Sequence, residues 1–453
     1  MTTNTSTDLI NKYDLRVPRY TSYPTSPHFN AEVDGEVYKR WLSELDPGAE
    51  LSLYFHIPFC DEMCWFCGCY TKIVKRYDPV KEYLGALLAE IDLVADALPE
   101  RMTAKHLHWG GGSPTMLKGE DWLAIMDKLR SRFDVADDAE IAVELDPRTA
   151  SEEYVAELER AGVNRASIGV QSYEPKVQEA IHRIQPYETT KEVIEWLRAH
   201  NITRINMDLM YGLPLQDTGE IETMVDLTVE LQPNRIALFG YAHVPWMKSH
   251  QKMINEEDLP DAAERWKQFS LAVERLKERG YVQVGFDHFA HPEDPMARAM
   301  ETGDLHRNFQ GYTTDSAPAM LGFGASAIGY LPQGYVQNEQ PLKAYSQAIY
   351  SGVLPVARGI GLSEADKLHR AIIEDIMCNL TVDLAARCAE YGVDVTSLDD
   401  DVKKLLPLTD DNICTIKDHT INVTETGRPF IRLVASAFDK YLVTGQARHS
   451  QAV

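Results

Sequence analysis

A chain of 453 residues, 44% of them apolar, is too long for one small domain and has ample material for a large core. Its 69 acidic residues outnumber 45 basic ones, a net charge of −24 that argues against nucleic acid or an anionic membrane as the main partner. No run of about 18 apolar residues is present to span a bilayer. The polar start Met1-Thr-Thr-Asn-Thr-Ser-Thr-Asp8 carries neither the basic nor the apolar region of a signal peptide, so a cytoplasmic location is expected.

Residues 1–50 read as an appended N-terminal extension, because Pro18-Arg-Tyr-Thr-Ser-Tyr-Pro-Thr25 is short and turn-rich. Tyr20 and Tyr23 within it are candidates for a lid. A β/α rhythm then begins. The strand candidates are Leu51–His56, His106–Gly110, Glu140–Leu145, Arg165–Val170, Arg204–Met210 and Arg235–Tyr241. Helical periodicity fills the gaps at Pro79–Ala97, Glu120–Phe133, Ser151–Gly162, Glu188–His200 and Gly219–Leu231. Six strands alternating with helices predict an α/β fold with a parallel sheet and right-handed crossovers. Periodicity alone allows an open sheet or a complete or partial barrel. This central unit is taken as residues 51–345.

Residues 346–453 change character and are expected to form a separate, mainly helical C-terminal domain, winged-helix-like in its order of elements. Helices are predicted at Leu362–Leu380 and Ser397–Leu406, the second capped by Ser397. A hairpin around Asp418-His419 spans Thr415–Thr424, and an amphipathic helix is predicted over Arg428–Val443.

The ends of the six strands carry the chemistry. The first runs into a loop with Cys60, Cys64, Cys67 and Cys69, more than half of the chain's seven cysteines. The second ends in Gly110-Gly111-Gly112-Ser113, and the third ends near Glu144. Gln171 closes the fourth, Asp208 lies on the fifth, and Tyr241-Ala242-His243 ends the sixth. Parallel α/β folds gather ligand-binding groups at this rim. Thiolates crowded into one loop read as ligands to a soft metal centre. A structural zinc site is the plainer reading, but zinc knuckles come in pairs, whereas Cys378, Cys388 and Cys414 lie far off and read as buried small hydrophobes. Three thiolates from one tight loop hold three corners of an iron–sulfur cube and leave the fourth iron open. Spacing leaves Cys69 as ligand, proton or hydrogen donor, or bystander.

Cys60-x3-Cys64-x2-Cys67 after a first strand, with a glycine triplet after the second, resembles the radical SAM superfamily. Five stretches narrow the likeness: Tyr54-x-His56-Ile-Pro-Phe-Cys60, the extra Cys69, Pro18–Thr25, His306-Arg-Asn-Phe-Gln-Gly-Tyr-Thr-Thr314 and Gly322-Phe-Gly-Ala-Ser-Ala-Ile-Gly329. Over nearly its whole length the chain is similar to the oxygen-independent coproporphyrinogen III oxidase family. The resemblance implies a partial (β/α)6 TIM-like barrel of the radical SAM type. It implies a [4Fe-4S] cluster on Cys60, Cys64 and Cys67, and two molecules of S-adenosylmethionine (SAM). Tyr54, Gly111, Glu144 and Ile328 would line the first SAM, with Glu144 on its ribose hydroxyls. Phe66, Gly112, Ser113, Gln171, Arg183, Asp208 and Ala242 would line the second. Tyr54, His56, Cys69 and Arg183 are the implied catalytic residues. Ser113 departs mildly from the family, which more often has Thr there.

The implied reaction converts the ring A and B propionates of coproporphyrinogen III into vinyl groups. A 5′-deoxyadenosyl radical would break an unactivated C–H bond that no ordinary side-chain base can attack. An electron donor, an electron acceptor and a monomeric protein belong to the same expectation. Arg19, Arg183 and Arg307 are candidate cations for the tetra-anionic substrate. Two other classes are set against this reading. A heme-binding chaperone on the same barrel typically lacks Cys69 and the Pro18–Thr25 segment. A zinc-stapled interaction protein leaves the polar strand ends without a purpose.

Overall fold

The computed structural model describes residues 17–442 together with Leu9, Lys12, Tyr13 and Leu15. Six parallel strands form its centre: β1 (Leu51–Ile57), β2 (Thr103–Gly111), β3 (Asp134–Leu145), β4 (Arg165–Gln171), β5 (Arg204–Tyr211) and β6 (Arg235–Gly240). Ala319–Phe323 adds a parallel strand on the free edge of β1. Antiparallel strands extend both ends into one twelve-stranded sheet, whose two outermost strands do not pair with each other. The result is the open form of the barrel.

The helices between the strands lie at Asp78–Ala97, Gly119–Arg132, Glu152–Ala161, Tyr187–Ala199 and Thr218–Glu230, within a residue or two of expectation. Local signals set their ends. Ser151 accepts the Tyr154 N–H at the start of Glu152–Ala161, and Gly162 ends that helix at φ +93°. Asp217 and Glu220 form a reciprocal cap on Thr218–Glu230. The short helix Pro175–Ala180 has no counterpart among the sequence expectations. Its six residues are too few to show a period.

Period-two alternation places the site. On β5, Ile205, Met207, Leu209 and Tyr211 are buried, while Asn206 and Asp208 on the alternate face are only half-buried. On β4, Ala166, Ile168 and Val170 are buried, and Ser167, Gly169 and Gln171 alternate with them. Apolar residues pack against the helices and polar ones face the interior at the strand ends.

The N-terminal segment joins the same apolar core as the barrel and the C-terminal region. Tyr20 and Tyr23 are buried, the Tyr20 hydroxyl donates to Asp439 Oδ2 at 3.1 Å, and the Tyr23 hydroxyl accepts the Lys440 N–H at 3.0 Å. Tyr13 packs edge-on against Phe430. Burial of each such aromatic ring contributes about 1.5–3 kcal/mol.

In the C-terminal region, Glu364–Asn379 is capped by Ser363 and Asp366. The expected hairpin pairs Cys414–Lys417 with Thr420–Val423. Asp418 and His419 both take positive φ there, at 49° and 64°, the demand of a two-residue turn. Thr381–Asp383 adds a third antiparallel strand. Two expectations fail. Ser397 does not cap a helix over 397–406. Asp394 accepts the Thr396 N–H instead, and the stretch divides into a short 3-10 turn and the helix Asp399–Lys403. The helix expected over Arg428–Val443 runs only over Ile431–Ser436, with Val443 outside the described residues. Ile431, Arg432, Leu433, Val434 and Ala435 are all buried, so this is an embedded helix and not an amphipathic one.

Candidate active site at the strand ends

Cys60, Cys64, Cys67 and Cys69 line one cavity beneath the ends of β1 to β5. The loop is tied down on both sides. Trp65 N–H donates to the Ile181 carbonyl at 2.9 Å, and the Trp65 ring stacks on His182. Lys248 Nζ reaches the Cys69 carbonyl at 3.0 Å, His250 Nε2 the Cys67 carbonyl at 2.7 Å, and Gln251 the Phe66 carbonyl at 3.0 Å. The sulfurs also have donors. Thr71 Oγ1 lies 3.2 Å from Cys60 Sγ, Arg148 Nη2 3.5 Å and Arg183 Nη1 3.6 Å from Cys64 Sγ, and the Cys69 N–H 3.4 Å from Cys67 Sγ. Hydrogen bonding from the Cys69 thiol and amide holds Cys67 down to about 6. Among the described residues no three His, Cys, Asp or Glu side chains converge as a single ion requires. Thiols spread around a cavity suit a multi-iron cube, in which each thiolate takes a different iron, and sulfur hydrogen bonds are the usual means of tuning one.

The glycine triplet lies against this loop. Gly112 N–H donates to the Ile57 carbonyl at 2.9 Å and Ser113 N–H to the Phe59 carbonyl at 2.7 Å. Gly111 has φ +103°, and a Cβ there would strike the His56 ring. The missing side chains therefore serve tight packing of β2 on β1 as well as access for a ligand.

Glu144 accepts from the Gly111 N–H at 3.1 Å and lies 3.2 Å from His108 Nε2. Burial pushes its carboxyl up, but the His108 and Gly111 hydrogen bonds outweigh this and hold it below the usual range. Asp208 is pushed up to about 6 by burial and by the charge of Glu144, against bonds from Asn206 (2.9 Å) and Ser167 (3.3 Å). His56 Nε2 lies 3.0 Å from the Tyr70 carbonyl, which only accepts. Nε2 therefore carries the proton, and Nδ1 accepts from the Tyr54 hydroxyl at 3.1 Å. Burial lowers His56 and keeps it neutral.

Arg183 is buried, and its guanidinium already has partners. Nη2 donates to the Gly169 carbonyl at 2.7 Å, and Nη1 lies 3.3 Å from Asp146 Oδ2. Asp146 also takes a two-donor contact from Arg148, at 3.0 and 2.6 Å. This Arg183–Asp146–Arg148 cluster ties the end of β3 to the cysteine loop.

Of the expected site residues, the four cysteines, Phe66, Gly111, Gly112, Ser113, Glu144, Gln171, Arg183 and Asp208 line this one cavity. Tyr54 and His56 stand behind Gly111 and Glu144. Ala242 borders a second cavity and shares the Gln251 amide with Phe66. Ile328 packs among Phe29, Tyr335 and Ile360, its backbone close to Gly322, which pairs with Tyr54. Arg19 and Arg307 line the second cavity, apart from Arg183. Sequence reasoning passed over Thr71, His108, Arg148, Ser167 and Asn206. His108 and Asn206 had a usable signal: each lies two residues from a marked position, Gly110 or Asp208, and so on the same strand face.

Comparisons with known proteins agree with this geometry. The Radical SAM superfamily model matches residues 54–228, and a HemN C-terminal domain model matches 362–430. An oxygen-independent coproporphyrinogen III oxidase from Bradyrhizobium diazoefficiens is 49% identical over 98% of this chain and 99% of its own. One from Synechocystis is 38% identical over 96% of this chain and 95% of its own. The solved structure of the Escherichia coli coproporphyrinogen III oxidase HemN, described as a radical SAM enzyme, superposes with a TM-score of 0.90 at 34% identity, covering 94% of this chain and 100% of that one. The chain belongs to the oxygen-independent coproporphyrinogen III oxidase family of radical SAM enzymes, which use a [4Fe-4S] cluster and SAM.

Proposed function

We propose that the chain converts the ring A and B propionates of coproporphyrinogen III into vinyl groups without oxygen, giving protoporphyrinogen IX in heme biosynthesis. The observation that carries this is the one cavity in which four thiols meet Gly111, Gly112 and Glu144, in a chain similar over 98% of its length to an enzyme of that name. Each vinyl group requires loss of one hydrogen atom, one CO2 and one electron. The cluster and SAM, when bound, supply the hydrogen-abstracting radical.

The protein's own groups hold and shield that chemistry. Cys60, Cys64 and Cys67 would hold the cluster, with Thr71, Arg148 and Arg183 donating to its thiolates. Glu144, held below the usual carboxylate range, would accept hydrogen bonds from the ribose hydroxyls of the first SAM. Gln171, Asp208, Ser113, Phe66 and Gly112 line the remaining space for a second. Arg183 acts through Asp146 as a positioning residue and keeps its buried Nε for a carboxylate, since that atom has no partner among the described residues. The Tyr54–His56 pair fixes the floor beside Gly111, and Ile328 would bear on SAM through that strand. Ala242 would do so through Gln251. Cys69, beside Cys67, is placed to pass a hydrogen or proton into the site. Three units would carry this work: an extension of residues 1–50 with Tyr20 and Tyr23 as its candidate lid residues, a barrel of 51–345 and a C-terminal domain of 346–453. Among the described residues no helix is long and apolar enough to cross a membrane; a cytoplasmic monomer is the proposed form.

The test is anaerobic reconstitution with iron and sulfide, then addition of a reductant, SAM, an electron acceptor and coproporphyrinogen III. Protoporphyrinogen IX is the expected product. Bound heme without turnover would replace this reading with a chaperone, and a colourless zinc protein would replace it with a structural role.

A further inference from the structure

A second cavity opens at the ends of β5 and β6, bordered by Tyr211, Gly240 and Ala242. Four guanidiniums line it, from Arg19, Arg265, Arg307 and Arg432, against the one carboxylate of Asp287 among its described lining residues. They arrive from different parts of the chain. Arg265 comes from the helix Ala262–Glu278, Arg307 from the strand His306–Asn308, and Arg432 from Ile431–Ser436. Arg19 precedes Tyr20, a bulky residue at φ +49° that its Asp439 hydrogen bond helps to hold.

The guanidiniums are positioned. Arg265 lies 5.5 Å over the Tyr211 ring, Arg307 4.4 Å over Tyr312, and Arg432 5.9 Å over Phe286. Gly212, at φ +77°, leaves the space that the Arg265 head occupies, since a Cβ there would strike it. The Arg307 Nε and Nη1 atoms are buried without partners among the described residues.

Two other buried arginines sit on carboxylates. Arg165 sits 3.0 Å from Glu140, and Arg235 2.8 Å from Asp294. Among the described lining residues of the chamber, guanidiniums outnumber carboxylates four to one, inside a molecule of net charge −24. Like charges gathered in a partly dry cavity repel one another. Burial and the neighbouring Arg19 charge accordingly push Arg432 down to about 10. An anion would relieve that repulsion, and a guanidinium edge offers two parallel donors to a carboxylate.

We propose that this chamber seats the substrate carboxylates that are not undergoing reaction, with Arg265 and Arg432 as binding residues beside Arg19 and Arg307. The inference rests on the proposed function, which supplies a tetra-anion that loses two carboxylates and keeps two. Four guanidiniums against one carboxylate among the described lining residues are enough to receive two substrate carboxylates. The N-terminal and C-terminal segments thereby gain a task, since each contributes a cation to the substrate seat.

The reconstituted full-length enzyme tests this, with coproporphyrinogen III as substrate and protoporphyrinogen IX as product inhibitor. Arg432→Gln and, separately, Arg265→Gln should raise the coproporphyrinogen KM at least about tenfold and weaken product inhibition to a similar degree. Cluster absorbance and SAM affinity should stay within about twofold of the unsubstituted enzyme. Arg432→Lys should recover part of the loss. If Arg432→Gln does not fold, Arg265→Gln, on a half-buried helical position, decides alone. An unchanged KM in Arg265→Gln overturns the proposal. So does a raised KM with unchanged product inhibition, because the chamber would then serve the reacting carboxylate. Should the unsubstituted enzyme cleave SAM yet neither bind nor convert coproporphyrinogen III, the proposed function itself fails.

Discussion

The thiol cavity and the arginine chamber differ in how their charges are balanced. In the first, the carboxylates of Glu62, Glu144, Asp146 and Asp208 outnumber the guanidiniums of Arg148 and Arg183. In the second, Asp287 faces four guanidiniums. Two carboxylates report the contrast. Burial and the charge of Glu144 push Asp208 up to about 6. Burial acts on Asp287 too, but His288, Arg307 and Arg19 overcome it and hold that carboxyl down to about 2. A cavity rich in thiols and carboxylates suits a resident cofactor that brings its own positive charge. One rich in guanidiniums suits an anion that comes and goes.

Substitution at Cys64 should separate the two regions most sharply. Cys64→Ala should abolish the cluster absorbance and lower turnover by roughly 1,000-fold or more, because the cofactor carries the chemistry. Porphyrin binding, followed by fluorescence quenching with coproporphyrin III, should stay within about twofold of the unsubstituted chain. A large loss of porphyrin binding would show that the two cavities are one site. A smaller effect is expected of Glu144→Gln. Losing a charged acceptor weakens SAM binding by roughly 10–100-fold, readable by calorimetry, while the coproporphyrinogen KM moves little.

The two aspartates make opposite predictions for stability against pH. Asp208 has a folded value near 6, above its unfolded value, so the folded protein binds more protons between about pH 4 and 6. Stability therefore falls as pH rises through that window, by about 3 kcal/mol from this group. Denaturant unfolding of Asp208→Asn should lack that part of the slope. Asp287, near 2, is depressed. Its contribution of about 2 kcal/mol is present above about pH 4 and is lost as pH falls toward 2. Asp287→Asn should remove that acid-side loss. Equal slopes in both variants and the unsubstituted protein would erase the electrostatic contrast. The smallest effect is expected of Tyr20→Phe, which deletes the hydrogen bond to Asp439 worth about 1 kcal/mol. It should loosen the segment carrying Arg19 and raise the coproporphyrinogen KM a few-fold. A change in SAM affinity instead would place that segment over the other cavity.

What the sequence made legible follows the same division. The thiol cavity is built from strand ends, and the alternation of strands with helices already put Glu144, Gln171 and Asp208 at or near those ends. The cysteine loop is local, ten residues from Cys60 to Cys69. The chamber was only half visible. Arg19 and Arg307 stood in quoted segments, but Arg265 lies on an ordinary-looking helix face and Arg432 in a helix taken for amphipathic. Their convergence is a tertiary fact, set by how the described N-terminal residues and the Ile431–Ser436 helix pack on the barrel. Arg183 was marked from its segment and lines the thiol cavity, but its pairing with Asp146 could not be read from a lone arginine. Ser397 looked like a cap because it precedes an acidic run. Asp394 wins because its carboxylate reaches the Thr396 N–H at 2.9 Å.

The most direct test of the central claim uses coproporphyrinogen III deuterated at the propionate carbon next to the pyrrole ring. The reconstituted enzyme would be run anaerobically with SAM and a reductant, and the 5′-deoxyadenosine analysed by mass spectrometry. The predicted result is deuterium in the 5′-deoxyadenosine, matched to CO2 release and vinyl formation. Deuterium-free 5′-deoxyadenosine alongside unchanged porphyrinogen would contradict it.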